Sequence, residues 1–265
     1  MNAEAGANSP EFESLIRAAE SLPFHGWDFD ELGDRWQRGD PDWDLRRMLR
    51  ARFRSVSTFL DLGTGGGEFL SSLAPFPKRT FATEGYEANL PIARARLGPL
   101  GVKLLSIGSD RRIHLPSGSI ELVLSRHEAF DPNEVARVLA PNGTFVTQQV
   151  GGRNYEELHR RFGVAPQPAI NRVDTLAHLS EEISTSGLVV ESTKESLFPE
   201  RFLDVGAVVY FLRAAPWEVP GFSASRFHDV LVEIHAEISR RGYWELLAHR
   251  LLVQARKGIV VDSSG

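Results

Sequence analysis

Residues 61–70 read DLGTGGGEFL, and the apolar run SVSTFL lies directly before them at 55–60. An acidic residue follows this run, and four of the five residues at 63–67 are glycines. The letters GEFLSSLA that come next are typical of the start of a helix. Because glycine has no side chain, a strand followed by such a bend and a helix lets a ligand approach the backbone closely. The stretch therefore predicts a binding site at the end of a strand.

Phosphate ligands do not suit this bend. A dinucleotide-binding loop reads G-x-G-x-x-G, and here Gly63 and Gly65 fit but Glu68 stands at the third glycine position. A phosphate loop needs a lysine directly after its last glycine, and Lys78 is too far along the chain. Asp61 at the strand end would also repel a diphosphate. The sequence instead favours a ligand that carries a positive group.

Short apolar runs alternate with helical segments in the first part of the chain. The apolar runs lie at 56–61, 79–83, 102–107, 120–125 and 143–150, and the helical or turn-rich segments lie at 67–74, 87–97 and 131–139. This alternation predicts the α/β class, with a doubly wound and mostly parallel sheet. Ligands bind at the carboxyl ends of the strands in such sheets, so the loops after the runs are the places to look for a site.

The flanking segments are mainly helical in pattern. A helix is expected at 11–22, and DPDWDLRRMLRARF at 40–53 predicts a helix with Asp40 as its cap and Pro41 at its first position. The dipeptide Asn142-Gly143 predicts a turn. In the second half, helices are expected at 154–162, 174–186, 204–213 and 225–241, and strands at 188–197 and 249–256.

The composition is that of an ordinary soluble protein. The chain has 265 residues, of which 42% are hydrophobic and 25% charged, and its net charge of −5 argues against a nucleic-acid partner. It has no cysteine, which excludes disulfides, thiolate metal sites and a cysteine nucleophile. No apolar run reaches 18 residues, so no membrane span is expected. The amino-terminal letters do not resemble a secretory signal, and a cytoplasmic location is expected.

The stretch DLGTGGG resembles the first motif of the class I S-adenosylmethionine-dependent methyltransferases, which is an acid followed by G-x-G-x-G. The resemblance implies that the backbone at Gly63, Thr64 and Gly65 passes under the amino-acid part of S-adenosylmethionine. It also implies that Asp61 binds the ammonium group of this cofactor, directly or through water. The alternative interpretation is a tight turn between strand and helix that binds nothing.

A second motif follows about twenty residues later, in TFATEGYEAN at 80–89. The resemblance implies that Glu84 accepts hydrogen bonds from both ribose hydroxyls of the cofactor. It places Gly85 next to this contact and Tyr86 near the adenine. Glu84 could instead be an acid near the start of a helix, where the helix dipole favours a negative charge.

A third motif, KLLSIGSD at 103–110, carries Ser109 and Asp110 into a loop that Arg111 continues. The resemblance implies that these three residues surround the adenine. It covers residues 56–150 in order and implies a seven-stranded sheet of the Rossmann-like methyltransferase fold.

The ends of the chain match the family less clearly. We expect an amino-terminal tail and helical lid at 1–50 and a catalytic domain at 51–260, with a substrate-selecting insertion around 199–245. The aromatic residues Phe24, Trp27, Phe29 and Trp36 could form the lid over the cofactor and the acceptor, and a fixed helical cap is the alternative.

The loop Ser125-Arg126-His127-Glu128 follows the fourth apolar run and faces the transferred methyl group in this family. Ser125 is expected at the cofactor. His127 is the natural candidate for a general base because its usual pKa is near neutrality, but it could equally shape the pocket wall. Arg126 could hold an anionic acceptor or pair with Glu128.

Candidate acceptor contacts are Trp27, Trp36, Gln149 and Asn154. No metal site is expected, because His228 and His235 lie seven residues apart on their helix and a helical metal pair needs a spacing of four.

The sequence therefore predicts methyl transfer from S-adenosylmethionine to a small molecule, most naturally at oxygen or nitrogen, by a monomer or homodimer without nucleic-acid or membrane partners. Two other functions remain open. The chain could bind S-adenosylmethionine without transferring a methyl group, as a regulatory protein would, or it could be a nicotinamide-dependent oxidoreductase.

Overall fold

A computed structural model describes residues 10–23, 30–165 and 172–258. The chain divides into two compact units. The helical unit consists of the described residues of Met1–Pro41, Arg153–Ala169 and Leu197–His249, and the sheet unit of those of Asp42–Gly152, Ile170–Ser196 and Arg250–Gly265. Within the helical unit, segments from the second half of the chain share a hydrophobic core with the amino-terminal segment.

The sheet unit contains the strands that the alternating pattern predicts. They are β2 (Thr58–Leu62), β3 (Arg79–Glu84), β4 (Lys103–Ser106), β5 (Ile120–Arg126), β6 (Leu139–Gly151) and β7 (Arg172–Val173), together with parts of β8 (Leu188–Phe202) and β9 (Trp244–Lys257). The strand order is β8-β9-β6-β5-β2-β3-β4, and β7 also pairs with β6. Every pairing among β2 to β7 is parallel, and β9 is antiparallel to β6. The predicted doubly wound, mostly parallel sheet is confirmed.

Strand β2 lies at the centre of this sheet, between β3 and β5. All five of its residues are buried. One Glu121 carboxylate oxygen accepts hydrogen bonds from the backbone N–H groups of Ser57 at 2.6 Å and Thr58 at 2.8 Å, which fixes the start of the strand. The carboxyl ends of β2, β3 and β5 therefore meet at one edge of the sheet, and the glycine bend is held there.

Two hydrophobic cores cover the two faces of the sheet. One contains Phe59, Leu122 and Leu124, and the other contains Leu60 and Val123, because side chains alternate along each strand. Helices α2 (Leu45–Phe53), α3 (Glu68–Ser71) and α4 (Asn89–Leu97) contribute to the first core, and α5 (Pro132–Val138) and α7 (Leu176–Thr185) contribute to the second.

The start of α2 differs from the prediction. The cap is Asp44, whose side chain accepts a hydrogen bond from Arg47 N at 2.9 Å, and not Asp40 with Pro41 at the first helical position. The reason is the spacing of the apolar residues, since Leu45, Leu49 and Phe53 must all face the core. Asn142-Gly143, predicted to be a turn, lies within β6, where the pairing with β5 shifts register and Asn142 has a positive φ of 61°.

The helical unit contains α1 (Pro10–Ser21), a 3₁₀ helix (Asp30–Arg35), β1 (Trp36–Gln37), α6 (Glu156–Phe162), α8 (Val205–Ala214) and α9 (His228–Arg241). Asp204 caps α8 through Ala207 N and accepts two hydrogen bonds of 2.6 Å from the guanidinium of Arg35. Among the helices at 10–23, 30–165 and 172–258, none is both long and apolar enough to cross a membrane.

A leucine at the centre of the sheet tests this account of the core. Leu124 on β5 is fully buried, and we expect Leu124→Ala to lower the free energy of unfolding by about 2 to 5 kcal/mol, because it leaves a cavity among packed side chains. Leu100, which is 43% exposed, provides the matched control, and Leu100→Ala should cost less than about 1 kcal/mol. Urea denaturation of both variants measures the difference. Equal losses of unfolding free energy in the two variants would show that Leu124 is not part of the buried core.

Candidate functional site

A cavity of about 480 Å³ opens at the carboxyl edge of the sheet unit. Its walls come from the ends of β2 and β3 and from the loops that follow β2, β3, β4 and β5. The lining residues are Leu62, Gly63, Thr83, Glu84, Gly85, Tyr86, Ile107, Gly108, Ser109, Arg111, Ile113, Glu128, Ala129, Phe130 and Asp131. The sequence predicts a site at this edge, and the cavity lies there.

The glycine bend is held against the end of β3. The N–H of Gly63 donates to the Thr83 hydroxyl at 3.1 Å, and Thr64 N donates to the Thr83 carbonyl at 2.8 Å. Gly63 and Gly65 have φ values of 64° and 62°, which residues with side chains rarely adopt. A Cβ atom on Gly63 would lie 2.1 Å from Cγ of Glu128, whereas one on Gly65 would meet no atom within 4 Å. The bare backbone at Gly65 therefore borders open space that a ligand can use.

Asp61 lies beneath this bend at the end of β2. It is 4% exposed and is not among the cavity-lining residues. Burial raises its pKa to about 7, and the negative charge of Glu84 acts in the same direction, while the Thr64 side chain and the positive charge of Arg126 lower it. The carboxyl group is therefore partly protonated near neutral pH and gains from any positive charge brought to the bend.

Glu84 is buried at the end of β3, and its side chain lines the cavity. Its carboxylate accepts a hydrogen bond from Tyr86 N at 2.7 Å. The next helix, α4, begins at Asn89 and has Ala88 as its cap residue, so Glu84 does not serve as that cap. The alternative of a helix-start acid is thus not supported, and the carboxylate faces the cavity. Tyr86 is 66% exposed and also lines it.

The loop after β4 brings two of its three predicted residues to the cavity. Ser109 and Arg111 line it, and Arg111 adopts a positive φ of 52°. Asp110 is exposed and outside the lining, because its carboxylate turns back to accept a hydrogen bond from Arg112 N at 3.2 Å. The predicted adenine contact of Asp110 therefore has no support in this arrangement.

His127 is held in a hydrogen-bonded chain behind the cavity wall. Trp43 Nε1 donates to Gln148 Oε1 at 2.8 Å, and the Gln148 amide nitrogen lies 3.1 Å from His127 Nε2. An indole nitrogen can only donate, so the Gln148 amide must present its N–H to the imidazole, and His127 Nε2 must accept. Burial lowers the pKa of His127 well below its usual value, and Arg126 and Arg250 act in the same direction.

The predicted base role of His127 is consequently unsupported. Its Nε2 lone pair already accepts a hydrogen bond, and the residue does not line the cavity. Arg126, the other predicted catalytic residue, also lies outside the lining, and its guanidinium carbon is 4.5 Å from the centre of the Phe69 ring. Arg126 therefore acts on the site through its charge, which lowers the pKa of Asp61.

Glu128 lines the cavity, although the sequence predicts it only as a possible partner of Arg126 and not as a site residue. Its carbonyl accepts hydrogen bonds from the Ser125 hydroxyl at 2.9 Å and from Gln149 Nε2 at 3.0 Å. Burial raises the pKa of the Glu128 carboxyl, as does the charge of Glu84, while the N–H of Ala129 and the charge of Arg111 lower it. Ser125 and Gln149, predicted to contact cofactor and acceptor, instead fix the loop that carries Glu128.

The other predicted acceptor contacts lie elsewhere. In the helical unit, Trp36 stacks on Phe202 with ring centres 5.4 Å apart, and the Asn154 side chain accepts a hydrogen bond from His249 N at 3.1 Å. Trp27, like Phe24 and Phe29, lies outside the described residues. Within the described ranges, no group of three or more His, Asp or Glu residues is arranged to hold a metal ion.

Comparison with known proteins agrees with this geometry. Residues 60–147 match the family model of a methyltransferase domain. No curated protein matches the chain by sequence. Solved structures with low sequence identity to this chain share its fold.

A candidate methyltransferase from Bacillus halodurans C-125 is 16% identical with a TM-score of 0.55, over 79% of this chain and 99% of that one. The YcgJ protein from Bacillus subtilis is 15% identical with a TM-score of 0.58, over 81% and 98% of the two chains. The [4+2]-cyclase SpnF is 14% identical with a TM-score of 0.51, over 93% and 92%. At these identities the solved structures establish the fold alone. The matched residues include the end of β2, the glycine bend and Glu84, so this part of the chain is similar to a methyltransferase domain.

Proposed function

We propose that this protein transfers a methyl group from S-adenosylmethionine to an oxygen or nitrogen atom of a small molecule. The observation that carries the proposal is the cavity at the carboxyl edge of the sheet, where Gly63 of the glycine bend, Glu84 and Glu128 line the same space. Its volume of about 480 Å³ is typical of small-molecule sites.

The residues present fit the cofactor. The open space at Gly65 leaves room for its amino-acid part, and a buried carboxylate such as Glu84 is suited to accept hydrogen bonds from neighbouring ribose hydroxyls. A ligand with two positive groups also suits walls that carry two carboxylates. The residues proposed to hold the cofactor are Asp61, Gly63, Thr64, Gly65, Glu84, Gly85, Tyr86, Ser109 and Arg111.

The bound cofactor supplies a methyl group on a good leaving group, so the protein mainly has to bring the acceptor into line with it. A general base is required only if the acceptor must lose a proton. The loop after β5, which Ser125 and Gln149 hold in place, forms one wall of the cavity. We infer a cytoplasmic enzyme that works as a monomer or homodimer, since the chain is acidic overall and lacks cysteine.

A second candidate function is cofactor binding without methyl transfer. It is favoured by one observation, that a structure described as a [4+2]-cyclase has the same fold, so the fold does not by itself fix the reaction. A nicotinamide oxidoreductase is less suited, because Glu68 stands at the third glycine position of the dinucleotide fingerprint and Asp61 would repel the diphosphate.

Calorimetric titration of the purified chain with S-adenosylmethionine, S-adenosylhomocysteine and NAD tests the cofactor. We expect heat for the first two and none for NAD, and the reverse result would overturn the proposal. Incubation with S-adenosylmethionine and a metabolite extract should then release S-adenosylhomocysteine. Binding without release would favour the non-catalytic alternative.

The proposed ribose contact is tested by Glu84→Gln. We expect a loss of affinity for S-adenosylmethionine and for S-adenosylhomocysteine of about tenfold or more, because both contain the ribose and a neutral amide accepts weaker hydrogen bonds than a carboxylate. Glu87→Gln is the matched control, since Glu87 is exposed and outside the cavity lining. Unchanged affinity in Glu84→Gln, or an equal loss in the control, would refute the assignment.

The raised pKa of Asp61 predicts a pH dependence of binding. Below about pH 7, Asp61 is largely protonated in the free protein. The ammonium group of the ligand binds the ionised carboxylate, so binding at low pH requires Asp61 to release its proton. The affinity for S-adenosylmethionine should therefore rise by about tenfold between roughly pH 5.5 and pH 7, with Arg126 and Glu84 as the neighbouring charges.

Calorimetry across this pH range measures the effect. In Asp61→Asn the part of the pH dependence that comes from this carboxyl group should be lost, whereas Glu87→Gln should keep the wild-type profile. An affinity that falls as the pH rises would show that Asp61 does not bind the ammonium group of the cofactor. A pH profile of Asp61→Asn that is identical to that of the wild type would show the same.

A further inference from the structure

The side chain of Glu128 has a fixed position in the cavity, beside the glycine bend. Its Cγ lies against the backbone of Gly63, at the position where a Cβ atom of that residue would be. Its own backbone is held by the hydrogen bonds that Ser125 and Gln149 make to its carbonyl. Gln149 is 1% exposed, so this support belongs to the buried interior. The carboxylate of Glu128 therefore has a defined place beside the glycine bend.

The surroundings of this carboxylate favour a cation. Glu84 lines the same cavity, and its negative charge, together with burial, raises the pKa of Glu128. Arg111 is the lining residue whose positive charge opposes this effect. Two carboxylates that face one cavity repel each other, and a positive group placed near both relieves the repulsion.

The covalent structure of S-adenosylmethionine identifies which positive group this is. Its sulfonium joins the ribose to the amino-acid part. If the ribose binds Glu84 and the amino-acid part lies over the bend at Gly63 and Gly65, the sulfur must lie between them, where Glu128 stands. Resting on the function proposed above, we propose that Glu128 faces the sulfonium and makes the site prefer the charged cofactor over its neutral thioether product.

The preference has a consequence for turnover. On methyl transfer, a lone pair of the acceptor atom forms a bond to the methyl carbon while the bond between that carbon and sulfur breaks and its electron pair stays on sulfur. The positive charge passes from the sulfonium to the methylated acceptor, which can lose it as a proton. Glu128 and Glu84 then face a neutral thioether, and their repulsion is no longer relieved. The product is thereby held less tightly than the cofactor that entered.

Calorimetric dissociation constants for S-adenosylmethionine and S-adenosylhomocysteine test this role without any acceptor. The wild-type chain should bind the methylated form more tightly. Glu128→Gln should weaken binding of S-adenosylmethionine by about tenfold while changing that of S-adenosylhomocysteine by less than about twofold, because only the first carries the sulfonium charge. Glu87→Gln, an exposed glutamate on the loop after β3, should leave both constants unchanged.

Other results would show that Glu128 does not face the sulfonium. Equal losses for both ligands in Glu128→Gln would place the carboxylate at the ammonium, which both ligands share, and would overturn the proposal. Unchanged constants would overturn it too. Failure of the wild-type chain to bind either ligand would instead refute the proposed function.

One further measurement and one further variant test whether the effect of Glu128→Gln comes from altered folding. Thermal unfolding of Glu128→Gln should match the wild type, and Glu128→Asp, which keeps the charge on a shorter side chain, should keep part of the preference for S-adenosylmethionine. Loss of the preference in Glu128→Asp together with a wild-type constant for S-adenosylmethionine in Glu128→Gln would contradict a charge contact.

Discussion

The hydrogen bonds between the glycine bend and Thr83 are the constraint on which the site depends. They bind the turn after β2 to the end of β3, so that Gly63 and Glu84 line the same cavity. Since β2 is the buried central strand, the bend cannot move without disturbing the pairing on both sides. The contacts that hold the sheet together therefore also hold the glycine bend in the position that the ligand requires.

Much of this arrangement could be predicted from local sequence patterns. The alternation of apolar runs and helical segments predicts β2 to β6 and their parallel order, and the spacing between Asp61 and Glu84 predicts that both acids reach one edge of the sheet. These features can be predicted from the sequence because they depend on residues that are close together in the chain. The cap of α2 was wrongly placed at Asp40, since the burial of Leu45, Leu49 and Phe53 decides where that helix begins.

The roles of the residues after β5 could not be predicted in the same way. The proton position on His127 follows from Trp43, more than eighty residues earlier, through the amide of Gln148. Glu128 gains its importance from packing against Gly63, and nothing in the letters SRHEAF distinguishes it from its neighbours. Gln149 looks like an acceptor contact at a strand end, but its amide is used to hold the loop. Such roles depend on contacts distant in sequence.

The contact between Gly63 and Glu128 links two positions that lie far apart in the chain. Any side chain at position 63 would occupy the space that the glutamate fills, so a change at one position requires an accommodating change at the other. In a set of descendants of this chain, the two positions should vary as a pair. A designer who wishes to alter the ligand would have to exchange both residues together.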